Sequence, residues 1–148
     1  MNIVRSTISL DESIEDIFKP KSEEEYSKGF KDMSPEKIIV IGIKKGLEFF
    51  VLKGIEMGAL INNIIFIKCI SKNFVKAVDK ILKLNILDKH ELNTGFQVAI
   101  LEEKKDIVEL FLKNTDIDIS YENNICLSLA LYTNNTAIIN LLNKDLQK

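Results

Sequence analysis

The stretch NTGFQVAILEEKKDIVELFL, residues 93–112, decides the fold of this chain, because its pattern occurs a second time. Residues 124–142 read NICLSLALYTNNTAIINLL, so apolar and small residues fall at matching positions after a shift of 31 residues without a gap. A fixed period of this length is typical of repeat proteins, in which each unit buries its apolar face against its neighbours. The sequence therefore predicts stacked units and a surface for another macromolecule.

Each copy has the pattern of two short helices joined by a turn. In the first copy, apolar residues recur at helical spacing over residues 96–100 and again over residues 107–112. Polar residues 102–105 separate the two patterns, and residues 133–135 separate them in the second copy. Helix, tight polar turn and helix is therefore the predicted unit.

A weaker copy precedes this pair. With the template moved about 30 residues towards the N-terminus, Phe66 falls under Phe96 and Asn73 marks the turn. Lys68 stands where Val98 is apolar, so the match is poorer than between the two last copies.

A fourth copy opens the repeated region. Ser34 is a good N-cap and Pro35 a good first helical residue, a turn follows at residues 44–46, and Gly58 marks the end of the second helix. Gly54 inside that second helix costs about 1 kcal/mol relative to alanine. The predicted units cover residues 34–60, 61–88, 89–119 and 120–148.

Residues 1–33 do not fit the template. Residues 9–18 have an apolar stripe and an acidic opposite side, which predicts a short capped helix that ends before Pro20. Residues 22–26 could start another helical turn before Gly29. Since a terminal repeat must present a polar outer face, we expect this segment to cap the first unit. The alternative is an arm that docks on a partner.

Length and charge restrict the class of protein. The 148 residues suffice for one domain, and 46% apolar with 28% charged residues is typical of a globular protein. The net charge of −2 argues against binding to nucleic acid or to an anionic membrane, since both attract clustered positive charge.

The cysteines and the apolar segments predict the compartment. Cys69 and Cys126 lie in apolar helical patterns, so we expect buried free thiols in a reducing environment. The N-terminus lacks the pattern of a signal peptide, and charged or amide residues interrupt each apolar segment before it is long enough to span a bilayer. The chain is therefore expected to be soluble, intracellular and cytoplasmic.

The sequence contains few residues that could carry chemistry. His90, the only histidine, lies in a polar segment between two units, where we expect it to be a solvated connector residue. One histidine and two separated cysteines give no zinc-ligand spacing, and neither common glycine-rich phosphate-binding motif occurs. We therefore expect no enzyme activity, no cofactor and no metal site.

The clearest unit resembles the ankyrin repeat, whose T-P-L-H-x-A signature opens the first helix of a unit of about 33 residues. Thr94 stands at the signature threonine, Phe96 at the leucine, Gln97 at the histidine and Ala99 at the alanine. The final unit places Ile125, Leu127, Ser128 and Ala130 at the same positions. The resemblance is clearest over residues 93–143 and looser upstream.

This chain departs from the ankyrin pattern in three ways. Gly95 and Cys126 replace the signature proline, the turn between the helices lacks the usual Gly-His, and the period is short. We attribute the missing residues to shorter hairpins between the units than those that join ankyrin units. The resemblance nevertheless implies an all-α, ankyrin-like α-solenoid of about four helix-turn-helix units with an N-terminal helical cap.

The resemblance also implies a function. Degenerate ankyrin units are common in large DNA viruses, phages and parasites, where their usual role is to bind a host or cellular protein. We therefore expect a non-catalytic protein-protein interaction module, acting as an adaptor or as an inhibitor by occlusion. The residues expected to bind the partner lie on the concave face and in the last connector: Lys44, Lys45, Lys72, Leu101, Glu102, Tyr121 and Tyr132.

A self-associating structural protein is the alternative hypothesis. The apolar stripe of the last predicted helix includes Ile138, Ile139, Leu141 and Leu142, and no clear acidic cap follows it. Such an end could pair with a second copy and form a homodimer.

Overall fold

The computed structural model describes residues 22–148, and these residues form helices with no strand among them. The prediction of an all-α chain is confirmed for this part. The helix predicted over residues 9–18 lies outside the described residues. The chain divides into two compact units between Ser34 and Pro35, and the two are described separately.

The described part of the first unit contains one helix, α1, Glu23–Gly29. The Ser22 hydroxyl accepts a hydrogen bond from the Glu25 N–H, and the Glu25 carboxylate accepts one from the Ser22 N–H at 3.1 Å. This reciprocal capping box satisfies two amides that a helix start otherwise leaves unpaired. A helix does start in the segment where the sequence indicated one, and it extends to Gly29.

The second unit consists of eight helices over residues 35–148. In chain order they are α2 Pro35–Lys45, α3 Glu48–Glu56, α4 Asn63–Ser71, α5 Val75–Leu84, α6 Lys89–Leu101, α7 Lys105–Asn114, α8 Tyr121–Thr133 and α9 Thr136–Leu146. The predicted start at Pro35 is confirmed, and α3 ends just before Gly58, which has a left-handed φ of 86°.

These helices pack as consecutive pairs. Helix α2 contacts α3, α4 contacts α5, α6 contacts α7, and α8 contacts α9. Successive pairs also touch, because α4, α6 and α8 pack side by side and α3, α5, α7 and α9 form a second row. Helix α2 is different, since it has little contact with α4.

The same turn joins the two helices of each pair. The first or second residue after the first helix adopts a left-handed conformation, with φ between 56° and 72°, at Gly46, Asn73, Glu103 and Asn134. In the second pair, the Asn73 N–H donates to the Ile70 carbonyl at 2.8 Å and the Phe74 N–H to the Cys69 carbonyl at 2.9 Å. This is the Schellman helix ending, and the same two bonds close the turns at Gly46 and Glu103.

A small residue lies four positions before each left-handed residue. These buried residues are Gly42, Cys69, Ala99 and Ala130. At Gly42 the reason is direct, because an added Cβ would lie 2.7 Å from the Phe50 Cβ and 2.9 Å from the Leu47 carbonyl oxygen. The second helix of the pair thus packs against the first helix at this position.

Three fully buried phenylalanines join the second and third pairs. The ring centroid of Phe111 lies 6.0 Å from that of Phe66 and 5.3 Å from that of Phe96. Gly95 leaves room for this arrangement, since a Cβ there would collide with the Phe66 ring. Glycine at the position of the ankyrin proline is therefore explained by packing.

Two expectations about the ends of helices were wrong. His90 is exposed as expected, but it lies in the first turn of α6 rather than in a connector. The helix begins early because Asp88 caps it and forms a capping box with Glu91. Tyr121, placed by the sequence in the last connector, is the first residue of α8.

The signature segment also lies differently from its position in an ankyrin unit. Thr94 stands in the interior of α6, five residues after its first residue, and Ile125 stands four residues inside α8. Helices α6 and α8 thus begin before the signature segment, so fewer residues are left for the connectors that precede them.

Candidate functional site

Adjacent turns of the second, third and fourth pairs are joined by side-chain hydrogen bonds. The Ser71 hydroxyl donates to the Glu102 carboxylate at 2.9 Å, and the Asn135 amide donates to the Glu103 carboxylate at 2.9 Å. These bonds connect residues 31 and 32 positions apart. We call the exposed ends of the first helices the turn row, which comprises residues 44–46, 71–73, 101–103 and 132–134.

Six of the seven sequence-predicted binding residues belong to the turn row. Tyr132 is 84% exposed and Leu101 is 44% exposed, although both are large side chains with apolar surface. The remaining members are exposed and charged: Lys44, Lys45, Lys72 and Glu102. The row therefore offers two apolar anchors beside charges of both signs.

Tyr121 does not belong to this row. It begins α8, whereas Tyr132 lies near the end of the same helix. At a rise of 1.5 Å per residue, the two backbones are about 17 Å apart along the helix axis. The structure thus places Tyr121 at the opposite end of the first helices.

Polar contacts tie the second row of helices together. The Glu48 carboxylate accepts a hydrogen bond from the Ala77 N–H at 3.0 Å, and Glu56 forms an ion pair with Lys80 at 3.0 Å. Helix α5 has Phe74 at its N-cap position, which provides no side-chain cap, so Glu48 from the preceding pair satisfies an amide of its first turn. Sequence reasoning missed this contact between pairs.

A groove of about 380 Å³ opens between α2 and α4, the two first helices with little mutual contact. Its wall includes the apolar side chains of Val40, Leu60 and Ile64, all exposed, with Leu60 at 81% and Ile64 at 65%. Lys44 and Lys68 also line it.

Two residues of the groove depart from the repeat pattern in the sequence. Ile64 occupies the template position of Thr94, and Lys68 occupies that of Val98. Relative to the clearest copy, this unit has an apolar residue in place of a polar one and a polar residue in place of an apolar one. Such a change is expected where the outer face of a helix differs from that of its neighbours.

A smaller cavity of about 260 Å³ lies between the connector before α6 and the connector before α8. Lys89, Asp116 and Asp118 line it together with Asn93, which is buried. Ser120 donates two hydrogen bonds to Asp118, from its hydroxyl and its N–H, and they lower the pKa of that carboxyl. Asp118 is thus already hydrogen-bonded within its own connector.

The two thiols are poorly suited to chemistry. Burial, followed by the nearby Glu48 carboxylate, raises the pKa of Cys69 from 9.0 to about 12. Burial, followed by Asp118 and Glu122, raises the pKa of Cys126 to about 11. Both cysteines are free, as predicted, and both remain protonated and weakly nucleophilic near neutral pH.

The described part of the chain has neither a candidate metal site nor a candidate membrane-spanning helix. Within residues 22–148, histidine, cysteine, aspartate and glutamate side chains form no group of three or more that could hold a metal ion. None of the helices in this range is both long enough and apolar enough to cross a bilayer.

No family model, curated protein or solved structure matches this chain. The geometry of its own residues therefore carries the argument about function.

Proposed function

We propose that this chain is a degenerate, ankyrin-like α-solenoid that binds another protein through its turn row without catalysis. It acts as an adaptor or as an inhibitor that occludes a surface of its partner. The observation that carries the proposal is the position of Tyr132 and Leu101, two exposed anchors in turns that belong to one continuous row.

The packing of the pairs supports the solenoid. Contacts run from each helix pair to the next, and the same turn geometry recurs at Gly46, Asn73, Glu103 and Asn134. In a repeat stack each unit contacts its immediate neighbours, so equivalent positions line up along one face. Hydrogen bonds between successive turns fix that alignment over three of the four pairs.

The composition of the turn row favours a protein partner. Tyrosine combines a large apolar surface with a hydroxyl group, and it is enriched among the residues that contribute most to binding. Lys72 and Glu102 lie beside the anchors, and mixed charge of this kind supports a specific protein surface more than a polyanion. A reducing, cytoplasmic location agrees with the two free thiols.

A capture experiment tests this function. The natural chain is immobilised, exposed to lysate of the cells in which it is expressed, and the retained proteins are identified by mass spectrometry. Tyr132→Ala combined with Lys72→Glu should abolish retention of a specific partner, because it removes an anchor and reverses a charge in the turn row. The helical circular dichroism signal should not change, since both side chains are exposed.

The matched control is Leu84→Ala combined with Lys113→Glu. It removes an exposed apolar side chain and reverses a charge outside the turn row. A partner lost equally from both double variants would argue against the turn row as the binding surface.

Self-association is the second candidate, favoured by the lower burial of the last described pair. Leu131 is 58% exposed, whereas Ile70 and Ile100 are fully buried at the equivalent positions of the two preceding pairs. Ile139 is partly exposed where Val78 and Val108 are buried. A second copy could cover this apolar surface.

Light scattering over a wide concentration range tests this alternative. A dimer that Leu131→Asp converts to a monomer would favour self-association through the last pair. A strict monomer at high concentration would contradict it.

A further inference from the structure

We propose that the groove between α2 and α4 binds an acidic amphipathic segment of a partner protein. Apolar side chains of that segment would enter the groove, and aspartate or glutamate residues beside them would face Lys44 and Lys68. This inference rests on the proposed protein-binding function and assigns it a second contact surface with a defined chemistry.

The apolar part of the groove has the properties of a binding site rather than of scattered surface residues. Leu60 and Ile64 are 81% and 65% exposed, and Val40 faces the same space from α2. The buried Ile43 forms part of the wall. Single exposed apolar residues are ordinary on protein surfaces, but several that converge on one concave space indicate a partner.

The groove exists because the first junction is closed on one row only. Glu48 and Glu56 hold α5 against α3, whereas α2 and α4 have little contact. At one end, the Glu36 carboxylate accepts a hydrogen bond from the Leu60 N–H at 3.1 Å, which holds the connector that carries the most exposed apolar side chain. The opening is thus supported by fixed contacts.

The charge of the groove identifies an acidic partner. Lys44 and Lys68 line it, and neither forms an ion pair with another residue in the described range. Among the described residues that line the groove, Glu36 alone carries a carboxylate, and the Leu60 N–H already occupies one of its oxygens. Helix α4 also begins at this wall without an acidic residue in its first turn, so its N-terminal dipole adds positive potential.

An amphipathic segment matches these two features together. Apolar side chains spaced along one face of a helix fill grooves between helices, while flanking charges determine which segment binds and how it is oriented. A basic segment would place like charges beside Lys44 and Lys68, which disfavours it.

Peptide selection on the intact chain tests the inference. The probe is a phage-displayed library of random 16-residue peptides, and counter-selection uses the variant Leu60→Ser combined with Ile64→Ser. The selected peptides should be net acidic, with apolar residues at helical spacing. Labelled copies should bind the double variant at least about tenfold more weakly in fluorescence anisotropy, which corresponds to about 1.4 kcal/mol, because the variant removes both of the most exposed apolar side chains of the groove.

A second variant separates charge from apolar contact. Lys44→Glu combined with Lys68→Glu should also weaken binding about tenfold at low salt, and the difference should shrink as salt increases. The matched controls are Leu84→Ser with Ile86→Ser, and Lys76→Glu with Lys113→Glu, which change exposed residues outside the groove. Both controls should bind the peptides with unchanged affinity.

Three results would overturn the inference. They are the absence of enriched peptides, enrichment of peptides that are not acidic, and equal binding to the natural chain and the groove variants. A dimer in solution that Leu60→Ser with Ile64→Ser dissociates would assign the groove to a second copy instead. Groove-dependent peptide binding without a captured partner would support the groove while leaving the turn-row proposal unsupported, so the two failures are distinguishable.

Discussion

The first and second junctions between helix pairs are built differently. At the second junction, between α4/α5 and α6/α7, buried aromatic rings fill the space, and Phe111 contacts both Phe66 and Phe96. At the first junction, between α2/α3 and α4/α5, α3 and α5 are held by carboxylate contacts and the first helices leave a groove. One junction is closed by apolar packing and the other is held on one side only.

This difference shows that units with one sequence pattern can form different junctions. The core positions of all pairs remain apolar, so the fold does not require identical junctions. The second pair carries Ile64 and Lys68 on the wall of the groove, on the side where α2 and α4 have little contact. Removal of the Phe111 ring, of the Cys69 thiol or of the Glu48 carboxylate tests how these junctions are stabilised.

Removal of the Phe111 ring should have the largest effect. Phe111→Ala takes a fully buried ring out of the closed junction, where Phe66 and Phe96 both lose a neighbour. We expect the free energy of unfolding to fall by about 3–5 kcal/mol, measured by urea denaturation with circular dichroism.

The comparison variant for Phe111 is Phe49→Ala. The Phe49 ring is only partly buried and lies edge-on to Phe50 in α3. It should cost less than half as much as Phe111→Ala. Equal losses from the two variants would show that the aromatic cluster is not what closes the second junction.

High pH should reveal the buried thiol of Cys69. Burial and the Glu48 carboxylate raise its pKa from 9.0 to about 12, so the folded chain keeps a neutral thiol that the unfolded chain loses above pH 9. The contribution of the neutral thiol to the free energy of unfolding is complete below pH 9 and is lost as the pH rises towards 12. The natural chain should therefore lose roughly 1 kcal/mol of stability per pH unit in that window from this group.

Cys69→Ala provides the control for that prediction. Alanine occupies the equivalent position in the third and fourth pairs, at Ala99 and Ala130, so the fold accepts it. The variant should show a shallower fall in stability between pH 9 and pH 11. Identical pH profiles for the two chains would contradict the assignment of a buried neutral thiol.

Local patterns were sufficient to predict the all-α class and several of the turns between helices. Ser34 with Pro35 fixed the start of α2, and the polar residues after each apolar stripe marked the turns now seen at Asn73, Glu103 and Asn134. These predictions depend on contacts within a few residues, which sequence periodicity and capping preferences describe well.

Features that depend on contacts between pairs were not predictable in the same way. Glu48 accepts a hydrogen bond from Ala77, which lies 29 positions later in the chain. Because Glu48 also lies in the first turn of α3, where the helix dipole favours an acidic residue, its position in the sequence does not indicate a contact with α5. The groove depends on the absence of close packing between α2 and α4. The prediction that Tyr121 lies in a connector was wrong, because α8 begins at this residue, upstream of the signature segment.

Loss of the hydrogen bond between Glu48 and Ala77 at the first junction should have the smallest effect on the free energy of unfolding. Glu48→Ala removes the acceptor of the Ala77 N–H and leaves α5 without a side-chain cap. Loss of a capping group typically costs about 1 kcal/mol, measurable by urea denaturation.

Glu48→Gln separates the hydrogen bond from the charge, because the amide oxygen can still accept from the Ala77 N–H. We expect it to retain more than half of the stability that Glu48→Ala loses. Glu109→Ala is the surface control, since its exposed ion pair with Lys105 at 3.5 Å is worth only about 0.3–0.5 kcal/mol. If Glu48→Ala costs no more than Glu109→Ala, the first junction is not held by this carboxylate, and the one-sided support of the groove must come from the Glu56–Lys80 pair and the packing of α3 on α5.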